Sequence, residues 1–246
     1  MQEEVRQDAI RVMVGLADVC ELVARAFRFP DQDLAQALAD GAFFADAESC
    51  LRDAGALEAD IAHACAGLRP IMGTDPDGLL ARMRRGSTEL FYNPGPTRPV
   101  WLYEAAFFHV AEGKAKAPIL FRAPITVNVE RMMTAAGVRM PDDRKEPCDS
   151  VPDELTFLSY AYGKAAEACF GGDDAAMGLW LDRARTFTSA HPGRWLPAFM
   201  EAVEKEALAR PQAADYVALA QVGALAVALV VQDAAQRGVV CEGSGD

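Results

Sequence analysis

The sequence predicts an all-α protein: a single helical bundle-like domain of about ten helices, with long loops after the first half. Three observations carry that prediction. Alanine occurs 46 times and isoleucine five times in 246 residues; alanine is the best helix former, and scarce β-branched residues weaken any case for sheet. Val5, Ile10, Val12, Met13, Leu16, Val19, Leu22, Val23 and Phe27 keep to helical spacing. Glycine, proline and aspartate punctuate the chain at helix-length intervals. A chain of this length buries roughly 70–75% of the surface its unfolded form exposes, so a core forms without disulfides or metals.

The elements follow in order. The first helix covers 4–28 and stops before Phe29-Pro30. Asp31 caps a second helix through Leu38, which Gly41 ends. Helices near 43–53 and 57–68 are separated around Asp53–Gly55. Asp75-Pro76 is cap and first turn of a helix running to about Tyr92. Asn93-Pro94-Gly95-Pro96-Thr97-Arg98-Pro99 then breaks all regularity. A short helix over 102–111 leads into an irregular connector, 112–124, between an N-terminal half (1–111) and a C-terminal half (125–236). A helix over 126–136 stops at Gly137. After a charged loop, 141–152, containing Asp142, Asp143, Glu146 and Asp149, a helix runs from Asp153 to Phe170. Asp173 or Asp174 caps the next, which ends at His191-Pro192-Gly193. Helices over 195–208 and 212–236 complete the domain, with a frayed tail at 237–246. The apolar run Val217–Val231 is shorter than the roughly 20 residues a bilayer span needs, so it predicts a buried central helix.

The 24 basic against 36 acidic residues leave a net charge of −12. That argues against nucleic acid and against anionic lipid, both of which demand basic surface. It suits a basic peptide, or simply keeps the chain soluble. The N-terminus is acidic and polar, unlike a signal peptide. Cysteines at 20, 50, 65, 148, 169 and 241 form no CxxC pair, and histidines 63, 109 and 191 lie far apart, so no zinc-ligand spacing exists. A reducing compartment fits better than a disulfide scaffold. Nucleophile elbow, phosphate loop and HExxH patterns are absent. The sequence therefore predicts no catalytic residue, no metal and no cofactor.

Two polar clusters remain. Tyr103-Glu104 follows the proline loop, which is itself bracketed by Leu90-Phe91-Tyr92 and Trp101-Leu102-Tyr103. Glu146-Pro147-Cys148-Asp149 precedes Asp153-Glu154. Helix capping accounts for Asp153. Glu104, Glu146 and Asp149 could work as acid and base, or hold an arginine through charge-assisted hydrogen bonds beside an apolar groove. The aromatics either form that groove or anchor a long turn in the core.

At these clusters the sequence resembles the TorD/DmsD/NarJ family of molybdoenzyme-specific chaperones, the redox enzyme maturation proteins. Three stretches carry the likeness: Leu90-Phe91-Tyr92-Asn93-Pro94-Gly95-Pro96 with Pro99 and Tyr103-Glu104-Ala105-Ala106-Phe107; Glu146-Pro147-Cys148-Asp149-Ser150 with Glu154-Leu155-Thr156-Phe157-Leu158; and Phe187, His191, Trp195, Pro197 and Phe199. Two positions depart from the family's pattern. Ser87 stands at a frequent aromatic, and Ser150 at the histidine that pairs with the aspartate in gripping a signal peptide. The resemblance implies a cytoplasmic, non-enzymatic chaperone. It would bind the twin-arginine signal peptide or the apo form of a molybdenum-cofactor catalytic subunit and assist its assembly before export. It also implies homodimerisation by exchange of halves, with 112–124 as the hinge.

On that basis Glu104, Glu146 and Asp149, next to Pro147 and Ser150, are expected to hold the arginine pair. Leu90, Phe91, Pro99, Trp101 and Tyr103 are expected to line the apolar contact, with Leu90 and Phe91 equally readable as core. Alternatives are a chaperone for the body of a client lacking a signal peptide, a helical enzyme or nucleotide binder using the Glu146/Asp149 cluster, and a plain helical adaptor.

Overall fold

A computed structural model describes residues 2–93, 98–114, 118–139 and 146–236. The tip of the proline loop (Pro94 to Thr97), Asp142, Asp143, Cys241 and the tail from 237 lie outside them. The described residues form eleven α-helices: α1 (Gln2–Ala26), α2 (Gln32–Asp40), α3 (Ala42–Asp53), α4 (Glu58–Cys65), α5 (Pro76–Ser87), α6 (Glu104–Ala111), α7 (Pro124–Ala135), α8 (Val151–Phe170), α9 (Asp174–Ala190), α10 (Pro192–Leu208) and α11 (Asp215–Ala235). The all-α prediction holds.

The punctuation acts largely as the sequence predicts. Asp31 accepts from Leu34 N, Asp75 accepts from Gly78 N, and Pro76 opens α5. Gly41 ends α2 at φ 87°, a conformation that costs a side-chain-bearing residue energy. Several boundaries differ: the helix expected through 68 ends at Cys65 and the one expected from 212 begins at Asp215, and three further shifts bear on the site. The helix expected to reach Tyr92 stops at Ser87, and a wide π-type turn carries Thr88–Tyr92. The helix expected from Asp153 begins at Val151, because Ser150 is its cap. His191 alone breaks the chain: Pro192 and Gly193 already form the first turn of α10, where proline's missing N–H is no loss.

The long helix α1 organises the core. Leu16, Val19, Cys20, Val23 and Phe27 are buried along it, and it packs on α8, α3 and α11. It runs antiparallel to α8, since Arg6 Nη1 donates to Cys169 O (3.0 Å) at one end and Arg28 Nη2 to Thr156 Oγ1 (3.2 Å) at the other. Gly15 permits the approach of α1 to the end of α3. A Cβ there would lie 2.3 Å from Ala54 N, inside any tolerable contact.

The apolar helix α11 buries Leu219, Val222, Val227 and Val230 against neighbouring helices that include α10, α9, α1 and α4. Among the described residues it is also the one helix long and apolar enough, by length and composition, to cross a membrane. Each of the five described cysteines is a buried free thiol. Burial pushes the Cys50 thiol up to about 12 and the Cys65 thiol up to about 11, which keeps both protonated and unreactive.

Candidate functional site

Besides the packing of helices, an extended backbone contact joins the two halves. Tyr103 and Ser150 form an antiparallel bridge, in which Glu104 N donates to Asp149 O (2.8 Å) and Val151 N to Leu102 O (2.9 Å). Asp149 and Ser150 then cap two different helices. α6 has no side-chain cap of its own, and Asp149 Oδ2 supplies one by accepting from Ala105 N (2.9 Å). Ser150 Oγ accepts from Asp153 N (3.1 Å) and donates to the Asp153 carboxylate (2.9 Å), closing the first turn of α8. The hydroxyl at the position of the family's histidine is thus spent on a helix terminus.

Behind the bridge lies an enclosed polar cluster. Glu104, Asp149 and Glu154 are fully buried, and His191 nearly so. His191 Nδ1 lies 2.7 Å from Glu104 Oε2, and Nε2 lies 2.8 Å from Asn128 Oδ1. Trp195 Nε1 donates to Glu154 Oε2 (2.9 Å). Burial, and then the neighbouring Glu104, push the Glu154 carboxyl well above its ordinary range. As carboxylates, Glu104 Oε1 and Glu154 Oε1 would both be unpaired. With Glu154 neutral, its O–H donates to Glu104 and joins the two acids. Burial also raises the Asp149 carboxyl, against the lowering effect of the Ala105 N–H.

Donor atoms of Glu104, Glu154 and His191 lie within 4.8 Å of one another, the density a metal site needs. The chemistry does not fit one. Both imidazole nitrogens are engaged, by Glu104 and Asn128, so no ring lone pair faces the two acids. A shared proton accounts for their proximity.

A carboxyl whose native pKa is raised holds its proton more tightly folded than unfolded. Its stabilisation is complete below the ordinary value of 4.5 and is lost as pH rises through the native value. Stability is therefore expected to decline above about pH 5, by at most about 1.4 kcal/mol per pH unit for one proton. Glu154→Gln, which keeps a donor without a titration, should flatten that decline in urea unfolding between pH 5 and 8. An identical slope in the variant would exclude Glu154 as its source.

The open site lies on the other side of the bridge. A groove of about 260 Å³ is lined by Phe27, Arg28, Phe29, Tyr92, Leu102, Glu146, Ser150, Pro152 and Asp153. Phe29 is half exposed and meets Tyr92 edge-on at 5.9 Å. Glu146 is exposed, and its Oε2 accepts from Tyr103 Oη (2.7 Å). Burial and that carboxylate keep the Tyr103 phenol well above its ordinary value.

The structure brings some of the sequence-predicted residues together here and leaves others out. Glu146 and Ser150 reach the groove, and Tyr103 backs it through Glu146. Pro147 is buried beside it, and Pro99 and Trp101 are half-buried, with the Arg98 guanidinium 4.0 Å over the Trp101 ring. Leu90 and Phe91 are in the core; Phe91 packs among Phe27, Phe199 and Tyr216. Glu104 and Asp149 present no oxygen to solvent, so the expected arginine-holding trio is split and only Glu146 is open. The same split separates the Glu146/Asp149 pair on which a catalytic reading rests. Asp153, assigned by sequence to capping alone, lines the groove, as do Phe29 and Arg28, which the sequence reading passed over. His191, Glu154, Trp195 and Asn128 complete the enclosed cluster. The signal for Glu154 was there: it falls on the buried stripe of Val151, Leu155 and Leu158.

All three motif stretches therefore converge on one place, Glu104 from the first, Asp149 and Glu154 from the second, and His191 and Trp195 from the third. A family model described as nitrate reductase delta subunit matches residues 54–201, more than half of the chain and all three stretches. No curated protein and no solved structure matches.

Proposed function

Because this chain belongs to the nitrate reductase delta subunit family, a family of molybdoenzyme maturation chaperones, we propose that it is a cytoplasmic chaperone for an apo-molybdoenzyme catalytic subunit, whose N-terminal twin-arginine signal peptide lies in the groove beside the Tyr103–Ser150 bridge. The observation that carries this reading is the composition of that groove. Exposed Phe29 and half-buried Tyr92 offer apolar surface to the peptide's hydrophobic stretch, while Glu146 and Asp153 offer carboxylates to its arginines. The net charge of −12 draws a basic segment toward the protein.

Calorimetric titration with such a peptide tests it. Binding should weaken as salt is raised, vanish in an Arg-Arg to Ala-Ala peptide, and weaken about tenfold in Glu146→Gln, a loss of about 1.4 kcal/mol. Unchanged affinity in Glu146→Gln would remove the groove from the reading. If the peptide fails to bind but the apo-subunit body co-purifies, the client is gripped by its body. Half-exchanged dimers hinged at 112–124 would appear as dimers in sedimentation.

A further inference from the structure

The outward face of α1 carries a second surface, separate from the groove at Glu146. Ile10, Val14, Asp18, Glu21 and Arg25 recur at helical spacing along it and span about 22 Å. Its first half is apolar. A groove of about 340 Å³ between α1 and α8 is lined by residues that include Ile10, Val14, Ala17, Gly163 and Phe170, and Phe170 is 82% exposed, the most exposed large hydrophobic side chain among the described residues. Its second half is acidic. A cleft of about 430 Å³ between α1 and α3 is lined by Asp18, Glu21, Asp46 and Asp53. Asp18 lines both cavities and joins them into one strip.

The acids are unevenly compensated. Arg25 lies in the cleft but is held by Asp31 (3.1 Å) and Asp33 (3.5 Å) at the end of the helix. Asp53 faces Arg11 at 3.9 Å. Asp18, Glu21 and Asp46 have no ion pair or hydrogen bond among the described residues. Partial burial, Asp53 and Asp46 all push the Asp18 carboxyl upward, the signature of like charges crowded without a cation. A stretch of apolar groove continuous with uncompensated carboxylates is complementary to one kind of partner.

We propose that this face of α1 docks a partner helix that carries apolar side chains along one half and arginine or lysine along the other. The apolar half fills the groove beside Val14 and Phe170, and the basic half enters the cleft between Asp18 and Asp46. The proposal does not depend on what occupies the groove at Glu146.

The test uses the full chain and a fluorescein-labelled helical peptide with leucines at i, i+3, i+4 and i+7 in one half and arginines on the same face in the other. A control peptide carries glutamates in place of the arginines. Anisotropy should show micromolar, salt-sensitive binding of the first peptide and at least about tenfold weaker binding of the second. The Asp18→Asn/Asp46→Asn double variant and Phe170→Ser should each weaken binding about tenfold without lowering the melting temperature, since all three residues are exposed. Glu146→Gln should leave it unchanged. Equal binding of both peptides, no binding at millimolar concentration, or a loss confined to Glu146→Gln would overturn the proposal. So would a wild-type dimer in sedimentation that Phe170→Ser converts to monomer, because the face would then belong to a second copy of the chain.

Discussion

Glu104→Ala is expected to destabilise the protein by about 3–5 kcal/mol, the loss typical of removing one partner from a buried charged network. Glu104 accepts from His191, shares a proton with Glu154 and is fully buried. Both neighbours would lose their partner at once. Against a total stability of about 5–15 kcal/mol this is a large fraction. Urea unfolding at pH 7 checks it through the shift in midpoint. Glu104→Gln should cost less, because the amide oxygen still accepts from His191 or from a neutral Glu154. A loss below about 1 kcal/mol in the alanine variant would mean that the cluster contributes little to the fold.

Phe91→Ala is the second large effect, again about 3–5 kcal/mol. The ring meets Tyr216 at 5.4 Å and Phe27 at 6.2 Å, both edge-on, and lies nearly parallel to Phe199 at 6.3 Å. Its loss leaves a cavity at the junction of α1, α10 and α11. Where the variant remains folded at low temperature, its affinity for the groove peptide should stay within about twofold of wild type. A selective loss of binding with full stability would return Phe91 to the peptide-contact role read from the sequence.

The helices were legible because each depended on local signals: the periodicity of Val19, Val23 and Phe27, the caps Asp31 and Asp75, the stop at Gly41. The site was only half legible. Asp149 and Ser150 look like exposed loop residues because their partners, Ala105 N and Asp153 N, depend on a strand pairing that periodicity does not encode. Glu104 and His191 are 87 residues apart, and only the tertiary fold reveals that a motif's carboxylate faces inward. Polar residues between aromatic and proline residues suggest a binding surface, yet the same residue types build a satisfied polar knot. Of the three carboxylates Glu104, Glu146 and Asp149, Glu146 is the one that opens to the groove, where Tyr103 holds it.

The antiparallel pairing of α1 with α8, and the seating of both near α11, also sets an order of events during synthesis. The buried stripe of α1 meets α3 early, but α8 and α11 lie more than a hundred residues downstream. At about 5–20 residues per second, the interval between completing α1 and completing α11 is roughly 10–40 s. Throughout that interval Leu16, Val19, Val23 and Phe27 lack their final covering. A protein whose family guards unfinished clients is thus, during its own translation, an unfinished client with a half-covered helix.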